Sequence, residues 1–171
     1  MSGPAAEFSR RVALSRIGAT PLCLRIVANA NECRGLARRF DLVVLDRLTA
    51  EVSLHRRNDG LILLEAAVEA EFEQACVVSL EPVRGAIARR FALLYGLPEA
   101  APSEPESAED DPVFEPLTGD AIDIGEAVAQ EVSLALPEFP RDPEAQLDAS
   151  AAEPEMGPLA GLAAWRRRPP E

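Results

Sequence analysis

A chain of 171 residues is long enough to bury one sizeable core, and its net charge of −12 limits the partners it can bind. This charge repels phosphate backbones, so contact with a nucleic acid requires either local clusters of basic residues or a second protein. All basic residues are arginine, since no lysine is present. The acidity belongs to one half, because residues 1–97 carry a net charge of +2 and residues 98–171 carry −14.

Two strands and one helix are predicted in the first 40 residues. The strands cover residues 8–14 and 22–27. The helix covers residues 30–40, because Asn29 and Glu32 form a capping box before it. Its apolar residues follow the i, i+3, i+4, i+7 spacing of one helix face. They are Cys33, Leu36, Ala37 and Phe40.

The middle of the chain alternates apolar and polar residues, which is the pattern of half-buried strands. The alternating runs cover residues 48–54, 61–72 and 83–95. Asp59-Gly60 signals a hairpin between the first two runs, and Glu81-Pro82 favours a turn before the third. We therefore predict an antiparallel three-strand meander, to which the two N-terminal strands add.

The second half is dominated by proline and acidic residues. Residues 97–118 lack an apolar pattern, which predicts a disordered acidic linker. A second helix is predicted over residues 124–136, where Asp123 and Glu126 form a capping box. The chain ends in a proline-rich acidic tail that finishes with an apolar and basic stretch, residues 159–168.

These elements predict an α+β fold, a mainly antiparallel sheet braced by two helices. We assign residues 7–97 to the sheet with the first helix and residues 98–119 to the acidic linker. Residues 120–137 supply the helix that completes the same domain, and residues 138–171 form the tail.

The spacing of reactive residues predicts neither a catalytic site nor a metal site. His55 lies at a strand end on the polar side, where we expect a solvated edge residue without a nucleophile beside it. Cys33 and Cys76 fall on apolar sides, and no two cysteines have a C-x-x-C spacing. We therefore predict no enzymatic activity, no cofactor and no metal.

The longest strand carries a row of acidic residues on its polar side. The row consists of Glu65, Glu69, Glu71 and Glu73. We expect it to face solvent, with pairing across to Arg84 and Arg90 on the next strand. A carboxylate active site or a divalent-ion site on this row is the alternative.

The compartment is predicted from what the sequence lacks. No stretch approaches the roughly eighteen apolar residues that a membrane span requires, and the N-terminus has no apolar signal segment. Three cysteines without a disulfide framework fit reduced thiols. We therefore expect a cytoplasmic protein without a membrane partner.

Two groups of residues are candidate contacts for RNA or a protein partner. The first group follows the first helix and a strand end, and consists of Arg34, Arg38, Arg39, Arg47, Arg56 and Arg57. The second group is C-terminal and consists of Trp165, Arg166, Arg167 and Arg168, where an indole can stack on a base. Arginine is also ordinary on exposed faces, and the C-terminal segment also suits a helix that docks on the core.

The order of several motifs resembles the YceD family over about residues 7–168. The motifs are Phe8-Ser9-Arg10, Phe40-Asp41-Leu42, Cys76-Val77-Val78-Ser79-Leu80-Glu81-Pro82, Ile122-Asp123-Ile124-Gly125-Glu126 and Leu134-Ala135-Leu136-Pro137-Glu138-Phe139-Pro140. The resemblance implies a small cytoplasmic bacterial protein, without an established enzymatic activity, that is associated with accumulation of large-subunit ribosomal RNA. Many relatives have a second cysteine three positions after the first, where this chain has Ser79, so we carry over no zinc site.

Two functional hypotheses follow. The first is a non-catalytic factor in large ribosomal subunit biogenesis, with a ribosomal RNA precursor as its partner. The alternative is an acidic protein-binding module or holding chaperone, in which residues 99–115 and 138–155 shield a basic ribosomal protein. Neither hypothesis includes a small-molecule substrate.

Overall fold

The computed structural model describes residues 6–100 and 112–145, and within them it has the predicted α+β architecture. The strands are β1 (Arg11–Ala13), β2 (Leu22–Val27), β3 (Val44–Arg56), β4 (Ile62–Ala75), β5 (Pro82–Gly96), β6 (Val113–Pro116) and β7 (Ala121–Asp123). The helices are α1 (Ala30–Arg39) and α2 (Ile124–Ala135), with short 3₁₀ helices at Leu14–Arg16 and Pro98–Ala100.

The main sheet has five strands in the order β2-β3-β4-β5-β6. The first four are antiparallel, which confirms the predicted meander, and β6 runs parallel to β5. The central strands are longer than predicted, at 13, 14 and 15 residues. The start of β3 escapes sequence analysis because the register shifts between Leu45 and Arg47, which breaks the alternation.

One face of the sheet forms the core, and the other carries the charges. The buried residues of β4 are the alternate ones predicted, namely Ile62, Leu64, Ala66, Val68, Ala70 and Phe72. Helix α1 packs on β3, and α2 packs on β4, β5 and β1. The core face is therefore covered by both helices, while the outer face meets solvent.

The two helix starts differ in how their caps are completed. At α1 the capping box is complete, since the Asn29 side chain accepts from Asn31 and Glu32 and the Glu32 carboxylate accepts from the Asn29 N–H. At α2 the predicted box is only half formed. Asp123 accepts from two backbone N–H groups of α2, those of Gly125 and Glu126, but the Glu126 carboxylate binds an arginine of α1 instead.

The N-terminal strand prediction is wrong in its length and its partner. Strand β1 has three residues and pairs with β7, outside the main sheet. The Arg10 N–H donates to an Asp123 carboxylate oxygen over 2.7 Å, which ties this segment to the start of α2. Strand β7 and the cap residue of α2 therefore hold the segment that the alternation assigned to the main sheet.

Part of the predicted disordered linker is a strand. Val113–Pro116 forms β6 and pairs with the last four residues of β5, whereas residues 101–111 lie outside the described part. The Phe114 ring lies so close to Gly96 that a Cβ there would be 3.0 Å from it. Proline and acid content masked this strand, because its order comes from packing against β5 rather than from its own composition.

Candidate nucleic-acid interface

Helix α1 presents Arg34 and Arg38 on the side away from its buried face. Both side chains are exposed, and neither makes an ion pair with a carboxylate of the described residues. Arg34 donates instead to the Asn31 side chain. Uncompensated guanidinium groups on a helix face are available to phosphate oxygens.

A cleft of about 250 Å³ separates these arginines from the start of β3. Its walls include Arg34 and Arg38 on one side and Val43 and Val44 on the other, and both valines are exposed. An apolar surface beside two guanidinium groups has the chemistry to contact a base and its phosphates together.

Arg39 has a different role, although it belongs to the same predicted group. Its guanidinium donates to both carboxylate oxygens of Glu126, at 2.6 and 2.8 Å, and it approaches Glu7 at 3.3 Å. These carboxylates raise the pKa of Arg39, and Arg39 lowers the pKa of Glu126. The pair connects α1 to α2, so Arg39 is committed to the fold.

A second such pair was missed by the sequence analysis. Arg10 donates to both oxygens of Glu32, at 2.7 and 2.9 Å, and also to the Val27 carbonyl. The hydrogen bonds from Arg10 are the main cause of a lowered pKa at Glu32, the residue that completes the α1 cap. No local pattern signals this pair, because its partners are 22 residues apart.

Arg56 and Arg57 lie apart from the α1 arginines. Arg56 ends β3 and donates to the carbonyls of Gly60 and Leu14, and Arg57 pairs with Asp59 at 3.1 Å. The end of β2 that leads into α1 pairs at Thr49, seven residues earlier on β3. Seven strand residues span about 23 Å, so these arginines do not join α1 in one patch.

The outer face of the sheet carries both signs of charge. Arg47 pairs with Glu69 and Glu71, and Arg84 pairs with Glu73 at 2.9 Å, as predicted for Arg84. Arg90 lies opposite Ala67, and so the predicted pairing across to the acidic row does not include it.

An open groove of about 910 Å³ is lined by residues of β2, β3, β4 and β5 and by Glu131 of α2. Arg25 and Arg90 line it together with Glu51 and Glu65. Interleaved charges give a weak net potential, so this groove attracts a polyanion less than the α1 surface does.

The remaining predicted contacts, Trp165 and Arg166–Arg168, lie outside the described residues. His55 is half-buried opposite Leu63, and its Nδ1 is buried without a hydrogen-bond partner. The expected solvated position is therefore wrong, since His55 is only partly exposed. Across residues 6–100 and 112–145, neither helix has the length and apolar content to cross a membrane.

The comparison with known families gives a match to a family model. A family model described as "Large ribosomal RNA subunit accumulation protein YceD" matches residues 64–160, more than half of the chain. The chain belongs to the YceD family. No curated protein and no solved structure gives a significant match. The YceD match begins in β4, so the α1 arginines lie before it and the turn at Cys76 lies within it.

The turn at Cys76 tests whether this YceD chain fits the zinc implied by relatives with C-x-x-C. The Cys76 sulfur accepts N–H groups of Val78, Ser79 and Asp142 at 3.4 to 3.5 Å. A structural zinc site needs four ligands, mostly thiolates and imidazoles. The described residues contain no cluster of three candidate ligands, so the donors around Cys76 do not fit zinc.

Hydrogen bonds to the sulfur from these N–H groups and from the Ser79 hydroxyl change the chemistry of the thiol. The Ser79 hydroxyl, followed by the backbone N–H groups of Ser79, Asp142 and Val78, lowers the pKa of Cys76 to about 7. Donors pointing at sulfur favour the thiolate over the thiol. The two chain segments that meet at this sulfur are therefore joined by hydrogen bonds.

Proposed function

We propose that this protein is a non-catalytic cytoplasmic factor in large ribosomal subunit biogenesis that supports accumulation of large-subunit ribosomal RNA. The observation that carries the proposal is the YceD family match over residues 64–160, because the family is described by this role.

The α1 surface is our candidate for direct contact with the RNA. Arg34 and Arg38 would meet phosphates, while Val43 and Val44 offer apolar surface to a base. The three adjacent arginines at 166–168 would add a second contact, with Trp165 stacking on an unpaired base. Arg56 and Arg57, at the far end of β3, would reach a separate part of the RNA.

The electrostatics of the whole chain support a local and limited contact. A net charge of −12 opposes RNA everywhere except at such arginine groups. Each phosphate contact makes the affinity fall more steeply with salt concentration, so few contacts predict a weak dependence of affinity on salt. We therefore expect weak binding to bare RNA and stronger association with ribosomal precursors.

Deleting the protein tests the function. The account predicts a lower ratio of large-subunit to small-subunit ribosomal RNA, together with fewer mature large subunits in a sedimentation profile. A normal RNA ratio with a normal subunit profile in the deletion strain contradicts the proposal.

A protein-binding role is the second candidate, favoured by the acidity of residues 98–171. Affinity capture with and without nuclease separates the two candidates. Recovery of ribosomal material that is lost after nuclease treatment supports RNA contact, whereas nuclease-resistant recovery of one basic protein supports the second candidate.

A further inference from the structure

The turn between β4 and β5 exposes large apolar side chains together with a neighbouring segment. Leu80 and Val77 of the turn, residues 76–81, are 78% and 52% exposed. Phe139 of the segment 137–142, which follows α2, is 75% exposed. We call these three side chains the apolar tip. Exposed apolar side chains grouped on two adjoining segments are typical of a contact surface.

Hydrogen bonds hold the two segments of the apolar tip together. The Val77 N–H donates to the Pro140 carbonyl over 2.9 Å, and the Asp142 N–H donates to the Cys76 sulfur over 3.4 Å. A surface fixed in advance loses less conformational entropy when a partner binds. The apolar tip is therefore preorganised rather than a loose end of the chain.

The backbone at Leu80 indicates that its side chain is not there to aid folding. Its φ is 62°, in the left-handed region that disfavours every residue with a Cβ. Glycine would adopt this conformation at lower cost, and the Leu80 side chain gains little burial within the chain in return. The cost is explained if the side chain is buried by a partner.

The charges around the apolar tip select the kind of partner. Residues 76–81 and 137–145 carry four acidic residues and one arginine, namely Glu81, Glu138, Asp142, Glu144 and Arg141. Negative charge at the rim attracts a positively charged partner and repels RNA. Apolar side chains in the middle require apolar side chains on that partner as well.

We propose that the apolar tip is a docking site for a protein segment that carries both basic and apolar side chains. The proposal deepens the protein-binding candidate above and rests on it, while it is independent of the α1 surface. The apolar side chains of the partner cover Leu80, Val77 and Phe139, and its basic side chains meet the acidic rim.

The test uses the full chain and a synthetic peptide that alternates lysine and leucine. We expect the peptide to shift the backbone amide resonances of residues 76–81 and 137–142. Leu80→Gly removes the side chain and relieves the left-handed backbone, so it should weaken binding about tenfold without lowering the Tm. Leu97→Ser is the matched control, because Leu97 is 64% exposed at the opposite end of β5 and should leave binding unchanged.

Control peptides separate the two parts of the proposed recognition. A peptide with serine in place of leucine, and another with glutamate in place of lysine, should each bind much more weakly. Equal binding of the serine peptide, or an equal loss in Leu97→Ser, overturns the proposal. Larger shifts of the same amides by an RNA stem also overturn it, since RNA would then be the occupant.

Two other occupants have their own readouts. If concentration-dependent self-association is lost in Leu80→Gly, a second copy occupies the apolar tip and the proposal fails. If the peptide binds only after Arg166, Arg167 and Arg168 are replaced by serine, the chain's own C-terminal segment is the occupant and the proposal also fails. If the peptide does not bind but the deletion strain still has a lowered ratio of large-subunit RNA, the docking site is refuted and the proposed function is not.

Discussion

Arg38 and Arg39 are neighbours in the sequence, yet they belong to different parts of the molecule's chemistry. The Arg39 guanidinium is held by Glu126 of α2 and approaches Glu7. The Arg38 side chain is exposed beside the cleft at β3 and makes no ion pair with a described carboxylate. An arginine cluster in a sequence is therefore not one surface, because carboxylates far away in the sequence decide which of its members stay unpaired.

Among the contacts that hold α1, α2 and the N-terminal segment together, the one between α2 and the N-terminal segment should be the most sensitive to substitution. A Cβ on Gly125 would lie 2.5 Å from the Phe8 carbonyl oxygen and 2.9 Å from the Arg10 nitrogen. We expect Gly125→Ala to lower the free energy of unfolding by about 3 kcal/mol, although alanine normally favours a helix. Urea denaturation measures this effect. Gly119→Ala, which meets nothing within 4 Å, should cost little, and equal losses would show that this contact is not tight.

The comparison between the two arginines themselves predicts a smaller effect. Arg39→Ala removes a two-pronged pair between helices and should cost about 1 to 2 kcal/mol in urea denaturation. Arg38→Ala removes an exposed charge and should change stability by less than about 0.5 kcal/mol. Similar costs for both variants would contradict the division between fixed and available arginines.

The smallest effect concerns Cys76. The hydrogen bonds at its sulfur are strongest when the thiol has lost its proton, so they depend on pH. The pKa of this thiol is lowered to about 7, below the ordinary value near 8.5. The thiolate therefore contributes stability that is complete above about pH 8.5 and is lost as pH falls through 7. Thiolate absorbance near 240 nm should rise with a midpoint near pH 7, and this transition should be absent in Cys76→Ser. A chelator should not alter the midpoint, and a midpoint near 8.5 would refute the hydrogen-bonded sulfur.

Local patterns were sufficient to predict the elements that depend on their own sequence. The cap at Asn29 and the alternation from Ile62 to Phe72 each predict their element from residues that are close in the sequence. The pairing of β1 with β7 joins residues more than 100 positions apart, and no local pattern encodes it. Strand β6 likewise is ordered by its pairing with β5. Its own composition carries no sign of that pairing and therefore predicted disorder.

The candidate sites show the same division. Sequence spacing placed Arg34, Arg38 and Arg39 on one helix, but only the fold shows that Glu126, 87 residues after Arg39, pairs with the Arg39 guanidinium. Of the apolar tip, Phe139 was assigned to the acidic tail, and Val77 and Leu80 lie between two predicted strands. Apolar character alone did not reveal their exposure. Their location became apparent only when residues 137–142 were found beside the turn.

The central claim is that the available arginines of α1 serve the accumulation of large-subunit RNA. Its most direct measurement is the ratio of large-subunit to small-subunit RNA in a deletion strain that expresses variants of the protein. The account predicts that Arg34→Ser with Arg38→Ser fails to restore the ratio despite an unchanged Tm. Arg84→Ser, which removes another exposed arginine, one that is paired with Glu73, should restore it. Full restoration by the α1 double variant would contradict the claim.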